Sequence, residues 1–521
     1  MSSESVIHRP VVMGVHGMVA TGHPLASAAA LDVLKDGGNA VDAALCASGV
    51  LSVVKSYHCG LGGDVFGIFY SARERRTLVL NGSGRSPRLL RREAYSGIIP
   101  HRGILAATTP GTVGAWFEAA SNLGSRALGD LLKPAIEYAA NGFPVFPHLA
   151  KVIRSSCNAL SADPAWAAIF LPDGKAPDVG DLLVQKDLAA TLRSIASGGR
   201  EEFYAGNIAR SIVRKSDDCG GCFSRQDFAE HQSKWEEPLS ATYRGYQVFV
   251  PPPNSYGLLL LLQLKHLADH DLTALGHNTR ECVALQVRVK EEAWRAGQSW
   301  LADPVGYRPD EITQFLDAFP RKKESRNLAG GLQDHGKSTT YIATADRFGN
   351  WASLIQSVHQ SFGCGVVVDG TGIVLNNRMS GFTLIPDHPN ELAPSKLPAH
   401  TLSPALILRD NKPVIAIGTP GGLGQTQFLA QTLCNIVDFG MNLQEAIEAP
   451  RWQSENTGCV ELESRMPRDV SERLISEGYK VIVCAPWEFA FGGVEAIHLH
   501  DNGKVFMAAA DPRRDGYALG Y

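Results

Sequence analysis

Long hydrophobic runs are missing from this 521-residue chain. Uninterrupted apolar stretches such as Ala165–Leu171 and Leu258–Leu262 are of buried-core length, well short of the ~18 residues that cross a bilayer. A membrane partner is therefore not expected. Cysteine is sparse, ten residues without regular spacing, which suits a reducing compartment rather than a disulfide framework. Cys219-Gly220-Gly221-Cys222 is the only CxxC, and no second pair or histidine follows at ligand spacing, so no metal is expected. Basic runs are short, Arg321-Lys322-Lys323 being a solvated cluster, and the net charge is −4. Nucleic acid is excluded as a partner on that balance. The first ten residues show no basic segment followed by an apolar one, and a cytoplasmic location is the expectation.

What is present is an ordinary globular composition, 44% hydrophobic and 20% charged, on a chain long enough for two to four domains or one large layered one. Pro24–Lys35 reads as a helix opened by proline and ended by Gly37-Gly38. Asn39 caps a second helix rich in alanine. Gly60-Leu61-Gly62-Gly63-Asp64 leads into a strand, Val65–Tyr70, with Thr77–Leu80 as its hairpin partner. A helical region extends from about 126 to 300, with an extended piece at Tyr246–Pro253, and Thr313–Gly336 reads as linker. Val414–Gly418 is a buried strand running into Thr419-Pro420-Gly421-Gly422 and the helix Gln425–Asp438. Gln427 stands where a dinucleotide fingerprint needs its third glycine, and no Gly-Lys-Ser/Thr exists. No nucleotide or organic cofactor is expected. The N–H groups of Gly421 and Gly422 can instead receive an anion or a developing oxyanion.

The central feature is a hairpin. Thr340–Ala345 and Trp351–Val358 flank Asp346-Arg347-Phe348-Gly349-Asn350, a loop with glycine where a left-handed backbone is expected. Pairing Ala345 with Trp351 places Thr339 opposite Ser357, two hydroxyls within about 4.5–5.5 Å at Cβ. His359 lies two places on, on the same face. Arg85, a lone arginine among small residues, has a planar fork suited to a carboxylate.

Nine collinear motifs then resemble the γ-glutamyltransferase family: His23-Pro24-Leu25-Ala26-Ser27, Gly37–Ala43, Gly60–Asp64, Thr109–Thr112, Thr339–Tyr341 before Asp346–Asn350, Phe362–Gly365, Leu375–Asn377, Pro420–Gly422 and the ending Asp511–Tyr521. The resemblance implies an α+β fold, the four-layer αββα sandwich of N-terminal nucleophile hydrolases with an added helical region. It implies a proenzyme that cuts itself between Ser338 and Thr339 into residues 1–338 and 339–521, two chains intertwined as one domain. Thr339 is then the nucleophile, Ser357 stands where a second threonine supports it, and Gly421 and Gly422 form the oxyanion hole. The pocket departs from the glutathione-handling members. Their ammonium-binding acid corresponds to Gly381, the polar amide before it to Arg378, the paired serines to His400 and Thr401, an asparagine to His359, and the carboxylate-binding arginine to Ser83, with Arg85 two places along. These changes point to a small acidic amide as substrate. Open beside that reading are a true γ-glutamyltransferase, a biosynthetic relative cleaving a C–C or amide bond, and a homologue that never matures.

Overall fold

Alternating apolar side chains build two seven-stranded sheets, antiparallel throughout. A computed structural model describes residues 7–95, 97–306, 308–319, 338–456 and 458–521. The first sheet runs, edge to edge, through Tyr517–Gly520, Gly17–Thr21, Ser338–Asp346, Trp351–His359, Asp64–Ser71, Arg76–Gly82 and Lys234–Glu236. The second runs through Val12–Gly14, Phe506–Ala510, Glu495–Leu499, Lys412–Gly418, Ala405–Arg409, Tyr246–Val250 and Leu239–Tyr243.

Period-two alternation sorts the first sheet's side chains between two cores. Tyr341, Ala343, Ala345, Ile355, Phe66 and Ile68 point inward against Leu406, Ala416 and Ile497 of the second sheet. Ile342, Leu354, Val65 and Phe69 point outward onto helices Pro24–Lys35 and Ala40–Val54. The second sheet's outer face is covered by Gly257–Leu267, Arg280–Gly297 and Gln425–Val437. Two sheets between two helical layers make the expected αββα sandwich of the α+β class. The alanine-rich composition of Ala40–Val54, buried along its whole length, lets that helix lie close on the sheet.

The helix Pro24–Lys35 forms as read, and Asn39 caps the next with a full capping box. Two corrections have their causes in local chemistry. Leu239–Tyr243 is a strand that pairs with Tyr246–Val250 and edges the second sheet, so the stretch inside the helical region is a hairpin rather than one extended piece. Pro309–Ala318 is a helix, because Pro309 sits at its start, acids fill its first turn and Ile312, Phe315 and Leu316 share a face. The linker reading therefore begins too early, and its stretch from 320 to 337 lies outside the described residues.

The central hairpin keeps the expected register from Ala345↔Trp351 to Thr340↔Gln356. Gly349 has φ +90° in the loop. Asp346 organises the turn: its carboxylate accepts the N–H groups of Phe348 and Asn350 at 2.8 and 2.9 Å, and that of Ala40 at the second helix's start at 2.8 Å. Replacing Asp346 with alanine strands the buried Ala40 donor and frees the two part-buried turn donors. Asp346→Ala should destabilise the protein by about 2–4 kcal/mol, read as a lowered urea midpoint.

Candidate active site

The register breaks at the hairpin's open end. Ser338 pairs with His359, one residue out of step with Thr340↔Gln356, so the strand Trp351–His359 bulges, with Ser357 and Val358 opposite the single residue Thr339. His359 itself has φ +80°, a left-handed conformation unusual for a side chain of its size. That backbone turns the His359 N–H onto Ser357 Oγ at 2.7 Å. With its lone pair so engaged, the Ser357 hydroxyl donates to the Ser338 carbonyl oxygen at 2.5 Å. Thr339 Oγ1 lies 2.8 Å from the same oxygen and 3.3 Å from Ser357 Oγ. All three residues are buried. Two hydroxyls thus converge on one peptide carbonyl, polarising it, and one of them belongs to the residue on the far side of that peptide bond.

Across the sheet, Ser357 pairs with Asp64, so Thr339, Ser357 and Asp64 form a row on the inward face. Asp64 Oδ1 accepts the Gly84 N–H at 3.1 Å, and Oδ2 lies 3.1 Å from His400 Nε2 and 3.8 Å from Arg378 Nε. Arg378 Nη1 donates to Thr401 Oγ1 at 3.3 Å. All four residues are buried. Burial pushes the Asp64 carboxyl up to about 7, against the opposing pull of Arg378 and of backbone N–H groups. Burial, then Arg378 and His359, push His400 well below the usual imidazole range, so it is neutral. Asp64 is the site residue that sequence reading missed. Its signal was available: it closes the Gly60–Asp64 motif, and the strand pairing sets it beside Ser357.

His400 and Thr401 are held from below, His400 N–H donating to the Asn254 carbonyl at 2.8 Å and Ser403 N–H to Gln425 Oε1 at 3.1 Å. Gln425 starts the helix after the glycine loop, coupling the two walls. The loop leaves the strand Lys412–Gly418, whose last residue lies against Tyr341, two places from Thr339. A Cβ at Gly418 would fall 2.1 Å from the Tyr341 ring. Gly421 and Gly422 have φ +138° and +57°, and neither amide N–H has an acceptor among the described residues. The asparagine motif is structural: Asn376 Oδ1 accepts the Thr108 and Arg378 N–H groups at 3.0 Å, fixing the turn Arg378–Gly381. His359 Nδ1 lies 3.1 Å from Ser380 Oγ in that turn.

On the outer face of the strand Ser338–Asp346, Thr340 packs on Gly22, whose carbonyl accepts from Lys55 Nζ at 2.9 Å. No group of metal-ligating side chains occurs among the described residues, and no helix there is long and apolar enough to cross a membrane.

Arg85 is placed differently from the other candidates. Its Nη1 donates to Asp303 Oδ2 at 2.7 Å and to the Ser395 carbonyl at 2.8 Å. It lines a cavity of about 340 Å³ with Ser83, Asn81, His231 and Lys234, a lining that does not include Thr339. With Nη1 so engaged, Arg85→Ala should destabilise the protein by about 1 kcal/mol, read as a lowered urea midpoint. It should leave the KM for an acidic p-nitroanilide unchanged within about twofold.

Comparison with known proteins gives the family. Residues 26–521 match the family model described as gamma-glutamyltranspeptidase. The glutathione hydrolase-like YwrD proenzyme of Bacillus subtilis is 36% identical, over 98% of this chain and 99% of its own length. The oxamate amidohydrolase proenzyme of Klebsiella pneumoniae is 33% identical, again over 98% and 99%. Among solved structures, cephalosporin acylase from Bacillus halodurans superposes with a TM-score of 0.91 at 36% identity, covering 100% of this chain and 98% of that one.

Proposed function

The chain belongs to the gamma-glutamyltranspeptidase family, and we propose that it is a self-processing amidohydrolase or acyltransferase with Thr339 as nucleophile and a small carboxylate-bearing amide as substrate. Hydrolases and acylases acting on amide bonds are what its relatives are named for. The observation that carries the finer reading is the convergence of Thr339 Oγ1 and Ser357 Oγ on the Ser338 carbonyl.

In self-cleavage, Thr339 Oγ1 attacks the Ser338 carbonyl carbon while Ser357 steadies the charge developing on its oxygen. The Ser338–Thr339 C–N bond breaks as the ester C–O bond forms, and the nitrogen becomes a free amine. Water then opens the ester, leaving a carboxylate on Ser338 and the hydroxyl restored on Thr339. The new α-amino group has a reference pKa of about 7.7–8.0. Near neutrality part of it is unprotonated and takes the proton of its own hydroxyl, the threonine–amine form of nucleophile plus base. An internal threonine has no such base, so catalysis waits for cleavage.

In turnover the acyl carbon of the substrate takes the place of Ser338. The unclaimed N–H groups of Gly421 and Gly422 suit its oxyanion, the amine leaves with a proton, and water or a second amine resolves the acyl–Thr339 ester. On the acyl side, Arg378 and Thr401 offer a cation and a hydroxyl, with His400 and His359 alongside. A Cβ at Gly381 would fall 2.7 Å from the Ala399 carbonyl oxygen, so the ammonium-binding acid of the glutathione-handling members has no room there. This favours a carboxylate over an α-ammonium group. True γ-glutamyl transfer is the competing reading, and ready turnover of γ-glutamyl-p-nitroanilide would establish it instead.

Purified protein should run as two bands on a denaturing gel, and Thr339→Ala as one band without activity; a persistent single band from folded wild type would overturn the processed-enzyme reading. Exposure to glutaryl, succinyl and γ-glutamyl p-nitroanilides should add one acyl mass to the 339–521 chain in intact-mass spectra. Ser357→Ala should slow the appearance of two bands by about 10²-fold or more, read as a time course of the same gel.

A further inference from the structure

At the end of the sandwich away from Thr339, the two sheets part over a cavity of about 830 Å³. Small-molecule sites run to roughly 300–1,000 Å³. The cavity lies about 20 Å from Thr339, since the strand advances ~3.3 Å per residue from Thr339 to Ala345. Neither self-cleavage nor acyl transfer uses it.

Its floor follows from strand register. Trp351 is the first residue after the hairpin loop, and it pairs with Ala345 on one side and Tyr70 on the other. Phe506 meets it from the second sheet, the two ring centroids 5.7 Å apart and the planes at 62°. All three rings belong to the core between the sheets, and all three line the cavity with Leu499 and Pro413. The strands turn back at 346–350, 410–411 and 500–505, which leaves this last apolar layer open.

The turns bring charge to its rim. Arg75, Arg347, Lys412 and Lys504 line the cavity and are exposed. None of them has a carboxylate partner among the described residues. The acids near them are engaged elsewhere: Glu74 by Arg76 at 3.7 Å, Asp501 by Arg409 at 2.5 Å, and Asp346 by the N–H groups of Phe348, Asn350 and Ala40. Asp410 is the one exposed acid in the lining among the described residues. Four cations thus stand over an aromatic floor against one free carboxylate. A merely solvated charge cluster would need no apolar floor, and a groove for a neutral ligand would need no excess of cations. The combination selects a ligand with both parts.

We propose that this cavity binds an amphipathic anion, a flat apolar body seated on Tyr70, Trp351 and Phe506 with a carboxylate or sulfonate held by the cations above. Seating the body removes apolar surface from water, and the anion relieves the mutual repulsion of like charges on the rim. A dicarboxylate without an apolar body leaves the floor wet, so the site differs in ligand class from the one at Thr339. The ligand bridges the turn of the central hairpin to turns of the second sheet, and binding stabilises the folded state by mass action.

Titration calorimetry with 2-naphthoate tests this without turnover, so the result does not depend on whether the chain is processed. Wild type should bind one molecule per chain saturably, and should bind the neutral 2-naphthamide at least fivefold more weakly. Lys412→Glu together with Lys504→Glu, checked for folding by thermal melting, should lose tenfold or more in affinity for the acid and bind the amide as wild type does. Naphthoate seated at Thr339 would be indifferent to charges about 20 Å away, well beyond the ~8 Å screening length at physiological salt. Absence of saturable binding by wild type, equal affinity for acid and amide, or a double variant that binds the acid as wild type does would each overturn the proposal. So would a wild-type dimer in sedimentation equilibrium that the double variant breaks and that excludes naphthoate, because a second copy would then fill the groove. Should the double variant not fold, Arg75→Gln and Arg347→Gln decide: a several-fold loss for the acid in each supports the site, and unchanged affinity in both overturns it.

Discussion

One carbonyl organises the site. The Ser338 oxygen receives the Ser357 hydroxyl at 2.5 Å and has Thr339 Oγ1 at 2.8 Å, and this convergence depends on a bulge of a single residue. Had the hairpin kept its register to the end, Thr339 and Ser357 would face each other as an ordinary cross-strand pair. The extra residue lies at Ser357–Val358, opposite Thr339, and the left-handed His359 ends the bulge by giving Ser357 a donor to accept from. The arrangement has the character of strain held at a functional site by its surroundings.

Those surroundings are the sandwich itself. The inward face of the first sheet is closed by apolar packing from Tyr341 to Ala345, so the next inward position, Thr339, sits where that packing ends. The strand Lys412–Gly418 stops at the same level because Gly418 has only the Tyr341 ring above it. The chain beyond Gly418 must turn away, and it does so through two glycines whose φ values no larger residue adopts easily. The loop with unclaimed N–H groups therefore arises beside the strand that carries Thr339 as a consequence of how the sheets meet. The Gln425–Ser403 hydrogen bond then ties that loop to the segment carrying His400 and Thr401.

Much of this was legible in the chain before folding. The helix Pro24–Lys35, the cap at Asn39, the Ala345↔Trp351 register and the strand–glycine–helix unit at 414–438 all arise from local chemistry that the fold does not override. The missed features are non-local. Asp64 looked like the end of a glycine-rich turn, and only the pairing of its strand with Trp351–His359 brings it to Ser357. Arg85 had the right chemistry for a carboxylate, but nothing in its neighbourhood announced Asp303, 218 positions away, whose carboxylate its Nη1 meets. The hairpin Leu239–Tyr246 was hidden in a helical stretch because its strands are short and lie at a sheet edge.

The pocket's chemistry can be argued from space as much as from charge. At Gly381 the backbone runs so close to Ala399 that no side chain fits without a shift, which removes an acid from the floor of the site. An acid stands instead at Asp64, on a different strand, where it meets Arg378 and His400. A carboxylate on the floor would face a ligand directly. Behind a guanidinium, in a medium of low dielectric, the same group is spent within the protein, opposing a buried cation 3.8 Å away.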